Sequence, residues 1–389
     1  MPKQRAHRRT RRRGFTILEV MVALAVGGIA ITSLYAVGAA STQHFREQQR
    51  ISAAQTSLRA AMDQLKHDFQ RAGFLSTRNA NLAGETCARP TFFDPAGQLA
   101  GVAGYVQRAT APTKLDPAGL NVGDTNAVPF YAVDQVWLTG NYATSGEYPG
   151  ISLDAAGTTV TVPMNWQSFQ RDFVGWSGTN TGCDLNAFNA AFPVGRMVRL
   201  HGLSGTKFFS TVSRVNCTGT TAATITLNDV VPTVCNMNGG WIAPVNTLRY
   251  SVVDATAAED STDARMTVLR RTEVQTGART QTLMLTGGMT QVPVEDRAFL
   301  DYVVRFSVGF QLTRVDTPRM NFTPDTAANV LANPERIRGV ILDVAVRTAQ
   351  QEPSFLSNVP TSAFRVYTSP GAARVRRAHA ELMLPNIAQ

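Results

Sequence analysis

The chain has few cysteines and histidines and lacks the common catalytic signatures. Its four cysteines, Cys87, Cys183, Cys217 and Cys235, contain no C-x-x-C pair, which argues against a zinc ribbon or a thioredoxin-like site. Its five histidines (His7, His44, His67, His201, His379) are scattered without metal-ligand spacing. No G-x-x-x-x-G-K-[ST] and no G-x-G-x-x-G occurs, so neither sequence signature of a phosphate-cradling loop is present. Gly202-Leu203-Ser204-Gly205 lacks the final spacing of a nucleophile elbow. Asp134, Asp301 and Asp343 have no assignable catalytic partner, and no EF-hand-like loop appears. There is no fixed repeat and no long low-complexity tract. These absences predict a protein that is not an enzyme and that holds no metal or cofactor.

Charge of one sign is also scarcer than it looks. The formal net charge is +9, from 37 Lys and Arg against 28 Asp and Glu. Seven of those cations (Lys3, Arg5, Arg8, Arg9, Arg11, Arg12, Arg13) precede Gly14 with no acid among them. Without them the balance is 30 to 28, so the basicity reports targeting and argues against nucleic acid as a partner. At 389 residues and 44% hydrophobic, the chain can bury a substantial core, as one large domain or two small ones beside an anchor.

There is one long hydrophobic run. From Phe15 to Ala40 it has no Pro, Lys or Arg and a single acid, Glu19. Its 26 residues make about 39 Å of helix, enough to span a hydrocarbon core. The basic stretch ahead of it places the N-terminus in the cytoplasm. A carboxylate in hydrocarbon costs roughly 2.5 kcal/mol or more, so Glu19 calls for a partner. A secretory signal is cut behind its apolar region, but here a glycine stands in front of it. Cutting after Gly14 would leave the hydrophobic helix on the mature protein.

Gly14-Phe15-Thr16-Ile17-Leu18-Glu19, with its basic leader and apolar run, resembles the type IV prepilin signal. The resemblance implies cleavage by a prepilin peptidase after Gly14 and methylation of the new Phe15 amine. It assigns Glu19 the assembly charge that meets the amine of a neighbouring subunit. It also implies a single-pass inner-membrane precursor with a periplasmic C-terminal domain, which then enters an extracellular pilus at its tip. The implied partners are the major pilin, other minor pilins and the peptidase.

Beyond Ala40 the run becomes amphipathic without a break. Phe45, Ile51, Leu58, Met62, Leu65 and Phe69 recur at helical spacing, and Gly73 is the expected stop. Asp68 to Phe74 resembles the helix exit of PilW-type minor pilins. From Leu75 onward, short runs rich in Val, Thr and Ile alternate with turn residues. Strands are expected at 132–138, 158–162, 196–201, 207–215, 223–227, 247–253, 266–274, 280–285, 302–313, 339–347 and 363–368, with a hairpin turn at 153–158. Residues 294–313 and 337–348 resemble the C-terminal strands of PilW-like proteins and J-type pseudopilins, although Leu384-Pro385-Asn386 departs from that pattern.

The expected fold class is therefore α+β. A long N-terminal pilin helix, transmembrane and then amphipathic, packs on a large C-terminal antiparallel β domain. Its parts are a leader (1–14), the helix (15–73, with 15–40 transmembrane), a loop-rich Cys-containing β region (74–243) and a C-terminal sheet region (244–389). The implied function is a minor pilin in a pilus-initiating or tip complex. The alternatives are a J-type pseudopilin of type II secretion, or an adhesin or DNA receptor mounted on a pilin stem.

Four cysteines facing the periplasm allow three disulfide pairings. Cys217 with Cys235, closing a short loop, and Cys87 with Cys183 are favoured. Trp166, Phe169, Phe173 and Trp176 are spaced to share one helix face, as a surface-binding patch or, the favoured reading, as a short helix packed on the sheet. Arg374, Arg376, Arg377 and His379 read as a charged edge strand rather than a DNA contact.

Overall fold

The computed structural model describes residues 16–82, 84–87, 99–107, 109, 133–174, 182–217, 221–255, 267–274, 293–313, 324–348 and 375–388. Gly14, Phe15, Trp176, Arg374 and the strands expected at 280–285 and 363–368 lie outside the described residues. The molecule is α+β, a long N-terminal helix followed by antiparallel sheet. It divides into two units, residues 1–53 and 54–389, and helix α1 (Ile17–Gln70) contributes to both.

In the first unit, α1 carries apolar side chains with nothing over them: Ile17 is 82% exposed and Leu34 72%. Several of its hydroxyls, on Thr32, Ser33 and Thr42, are satisfied by back-bonding to the helix. Thr32 Oγ1 donates to the Gly28 carbonyl at 3.0 Å and Thr42 Oγ1 to that of Gly38 at 2.8 Å. An apolar helix can thus carry threonine without presenting unsatisfied polar groups to lipid. The helix is long and apolar enough to cross a membrane.

In the second unit, the same helix buries Leu58, Ala61, Met62, Leu65 and Phe69 on one face. The Phe69 ring lies 6.4 Å from Tyr250 and 6.3 Å from Phe310. The helix ends at Gln70, and Gly73 follows at φ +78°, donating its N–H to the Thr139 carbonyl at 2.8 Å. A Cβ on Gly73 would also sit 3.1 Å from Ile387 Cγ1, so both conformation and space favour glycine there. Gly140 has a steric reason too, because a Cβ would lie 2.5 Å from the Arg71 carbonyl oxygen.

The larger sheet contains β1 (Val102–Val106), β2 (Gln135–Gly140), β3 (Tyr148–Pro149), β4 (Ser152–Leu153), β5 (Thr159–Pro163), β6 (Met197–His201), β7 (Lys207–Asn216), β8 (Ala222–Leu227), β9 (Trp241–Asp254), β10 (Thr267–Val274) and β11 (Pro293–Asp301). A second sheet has the order β12 (Val303–Leu312), β13 (Ile337–Arg347), β14 (Val375–Met383). Short helices α2 (Gln167–Phe173), α3 (Leu185–Ala191), α4 (Ala327–Ala332) and α5 (Pro385–Ala388) complete the order. Asp134 ties the sheets together: its N–H donates to the Phe306 carbonyl and its carboxylate accepts from Val308 N–H, each at 2.7 Å.

Among the described residues, the two largest cores are built on this frame. The first gathers the end of α1 with β1, β2, the later part of β9, β10, and β12 and β13. The second lies among β3 to β8, α2 and α3. Strand β9 serves both. Its residues 241–245 pair with β6, and residues 247–254 pair with β10. A 14-residue strand, about 46 Å long, can belong to two packing regions at once. The boundary expected at 243/244 falls inside it, and β1 and β2 join the first core although they precede that boundary.

The disulfide pairing differs from the favoured one. Cys87 bonds Cys235 and Cys183 bonds Cys217. The reason is strand placement. Thr86 forms a parallel bridge with Lys207, and Cys87 N–H donates to the Lys207 carbonyl at 2.9 Å, beside the segment that carries Cys235. Cys217 follows the end of β7, where it meets Cys183 ahead of α3. The expected hairpin at 153–158 is present. Asp154 accepts from Thr158 N–H at 2.8 Å and Gly157 stands at φ +71°.

Candidate functional site

Thr16 stands just before α1, and its residue spacing to Glu19 makes a capping box. Thr16 N–H donates to Glu19 Oε2 at 2.9 Å, and Glu19 N–H donates back to Thr16 Oγ1 at 3.2 Å. The Thr16 hydroxyl also donates to Glu19 Oε2 at 3.1 Å. Glu19 therefore serves the helix N-terminus of its own chain, where a negative charge is also favoured by the helix dipole. The sequence reading gave Glu19 a partner in a neighbouring subunit and missed Thr16. The T-x-x-E spacing ahead of an apolar run was the available signal.

The other end of the stem is fixed by a buried carboxylate that sequence reasoning also missed. Asp68 is 1% exposed. Its carboxylate accepts from the Tyr250 hydroxyl, from Arg271 Nε at 2.8 Å and from Gln64 Nε2 at 3.0 Å. The Tyr142 hydroxyl donates to the Asp68 backbone carbonyl at 3.0 Å. Burial pushes the Tyr250 and Tyr142 hydroxyls well above their ordinary pKa, and the Asp68 charge adds to the shift, so both stay neutral donors. Burial pulls Arg271 down, but the charge and hydrogen bond of Asp68 outweigh it and the net shift is upward. A buried acid satisfied by several donors binds the helix to β9 and β10. No local motif marks Asp68, because its two cross-strand partners, Tyr250 and Arg271, are about 180 and 200 residues away in sequence.

The aromatic segment is split. Phe169 and Phe173 on α2 are buried, with ring centroids 5.0 Å apart, and both pack on Tyr148 and Phe188. Trp166 precedes α2 and is 47% exposed. Within the described residues α2 therefore carries Phe169 and Phe173 of the four rings, with Trp166 at its N-cap and Trp176 outside the described residues.

The C-terminal basic cluster is likewise divided. β14 pairs with β13 alone among the described residues. Arg377 and Arg305, from strands on either side of β13, converge on Asp343, which is 5% exposed. Arg377 thereby reaches from a half-exposed position into an ion triad around the buried Asp343, while His379 faces Glu381 at 3.6 Å.

The family model for the prokaryotic N-terminal methylation motif matches residues 9–35. This is a prepilin-type N-terminus. The motif supports a structural protein of the type IV pilin or pseudopilin kind, and it implies processing by prepilin peptidase and assembly with other pilins. The exposed apolar helix that follows fits membrane anchoring before that assembly. No curated protein and no solved structure matches the chain.

Proposed function

We propose that the protein is a minor pilin, of PilW type, of a type IV pilus. Prepilin peptidase cleaves it after Gly14, Phe15 becomes the methylated terminus, and α1 carries the chain from the inner membrane into a pilus-initiating or tip complex. One observation carries the reading: a methylation motif leads directly into helical apolar surface that its own chain leaves uncovered. Lipid solvates that surface as well as another helix would, so packing detail and polar pairing must drive the transfer from membrane to fibre. In this account Glu19 exchanges its bonds to Thr16 for the amine of a neighbouring subunit. The two disulfides fit a domain held outside the cytoplasm.

The test is Glu19→Val, followed in membrane fractions and in sheared pili. Normal insertion with loss from the fibre is expected, and wild-type incorporation would contradict the charge-exchange role. Deletion separates the pilus from secretion. Lost piliation supports the minor pilin, whereas lost secretion with intact pili would make the chain a pseudopilin.

A further inference from the structure

Within residues 54–389, a cleft of about 960 Å³ opens where the end of α1, the loop after β2, α2, α3 and β10 meet. Four arginines line it (Arg71, Arg171, Arg196 and Arg271) against two acids, Asp172 and Glu273. Three of the four are matched to carboxylates. Arg171 pairs with Asp172 at 2.8 Å, Arg196 with Glu273, and Arg271 with Asp68.

Arg71 is different. Its guanidinium donates to the Thr144 carbonyl at 2.6 Å and lies 5.5 and 5.9 Å from the ring centres of Phe74 and Tyr142. Among the described residues it has no carboxylate partner. Two aromatic faces thus hold a planar fork of donors at a cleft wall, and among the described residues its one hydrogen-bond acceptor is the Thr144 carbonyl. A guanidinium so placed matches a carboxylate in a bidentate pair.

The rest of the lining narrows the ligand. Ala187, Ala190 and Ala191 supply small apolar surface on one side, and Ser145 and Thr144 supply polar groups on another. Sugar rings present apolar faces and hydroxyl rims, which suits that mixture. The volume is at the upper end of ligand clefts, about 300–1,000 Å³, and so admits a short oligomer. We propose that this cleft binds a carboxylate-bearing oligosaccharide, with Arg71 anchoring the carboxylate and Arg171 at the rim. The proposal does not depend on the assembly reading, because the binding assay requires no pilus.

The test is calorimetric titration of the full-length protein in detergent with trigalacturonate, beside neutral maltotriose and a triglutamate peptide. Trigalacturonate should bind saturably, with maltotriose and triglutamate at least about tenfold weaker, as expected for loss of a charged hydrogen-bonded contact or its geometry. Arg71→Gln should weaken trigalacturonate by about tenfold or more, and Arg71→Lys by less, since it keeps the charge but loses the fork. Ala190→Trp, which narrows the cleft from an exposed position on α3 and keeps the backbone carbonyl that accepts from Arg196 Nη1 at 2.6 Å, should abolish binding. That variant keeps the test valid if Arg71→Gln does not fold. Absence of saturable binding, equal affinity for maltotriose, equal or tighter binding of triglutamate, or retained binding in Ala190→Trp would each overturn the proposal.

Discussion

Residues 17–53 and 54–70 are parts of one uninterrupted helix, yet their surfaces meet opposite fates. In the first stretch Leu24 is 70% exposed, and in the second Leu65 is fully buried. The first has Glu19 bonded to Thr16, three residues before it, while the second has its buried acid, Asp68, bonded to residues from distant strands. The first stretch is left to be completed by lipid or other chains. The second is already completed by its own sheet. Helix formation is therefore common to both, and what differs is who supplies the covering surface.

The sharpest way to break the comparison is at Gly14. A bulky residue there should leave an uncleaved precursor in the membrane, visible as a larger band, while the melting of the β domain stays unchanged. A mature-sized product would remove the processing account. Next in size is Asp68→Ala. It strands Arg271 and the Tyr250 hydroxyl in a buried site, and should cost about 3–5 kcal/mol in denaturant unfolding. A loss below about 1 kcal/mol would show that the network does not fasten the helix.

Matched leucine truncations sharpen the contrast further. Leu65→Ala should destabilise the folded domain by about 2–5 kcal/mol. Leu24→Ala, on the same helix, should leave it within about 0.5 kcal/mol. Equal effects would mean that the two stretches are not distinct.

The smallest effect concerns the segment that follows the helix. Burial pushes the Glu85 carboxyl up, but hydrogen bonds and charge from Lys207 and Arg78 outweigh it and hold it below the usual carboxylate range. A depressed folded-state pKa contributes stability that is complete above the unfolded value, about 4.3, and fades as pH falls through the folded one. Glu85→Gln should thus lower the denaturation midpoint modestly at pH 6, and the difference from wild type should start to shrink as pH falls below about 4.3 and vanish once pH is below the depressed folded value. A gap independent of pH would assign the loss to packing.

The sequence made the helix legible because periodicity and a single apolar run are local signals. The stop at Gly73, the strands β5 to β8 and the 153–158 hairpin were readable for the same reason. β14 reads only as a charged edge, since Val375–Met383 has two Arg and two Ala and a single β-branched residue, Val375. The sharing of β9 between two cores has no local signature, because it is set by the distant strands that pair with each end. Disulfide partners were hidden too: spacing favoured Cys217 with Cys235, while the bridge of Thr86 to Lys207 brings Cys87 to Cys235 instead.

The most direct test of the central claim is the intact mass and N-terminal sequence of the protein recovered from its native cell. The account predicts a chain that begins at Phe15 and carries one added methyl group. A chain that still begins at Met1 would contradict it.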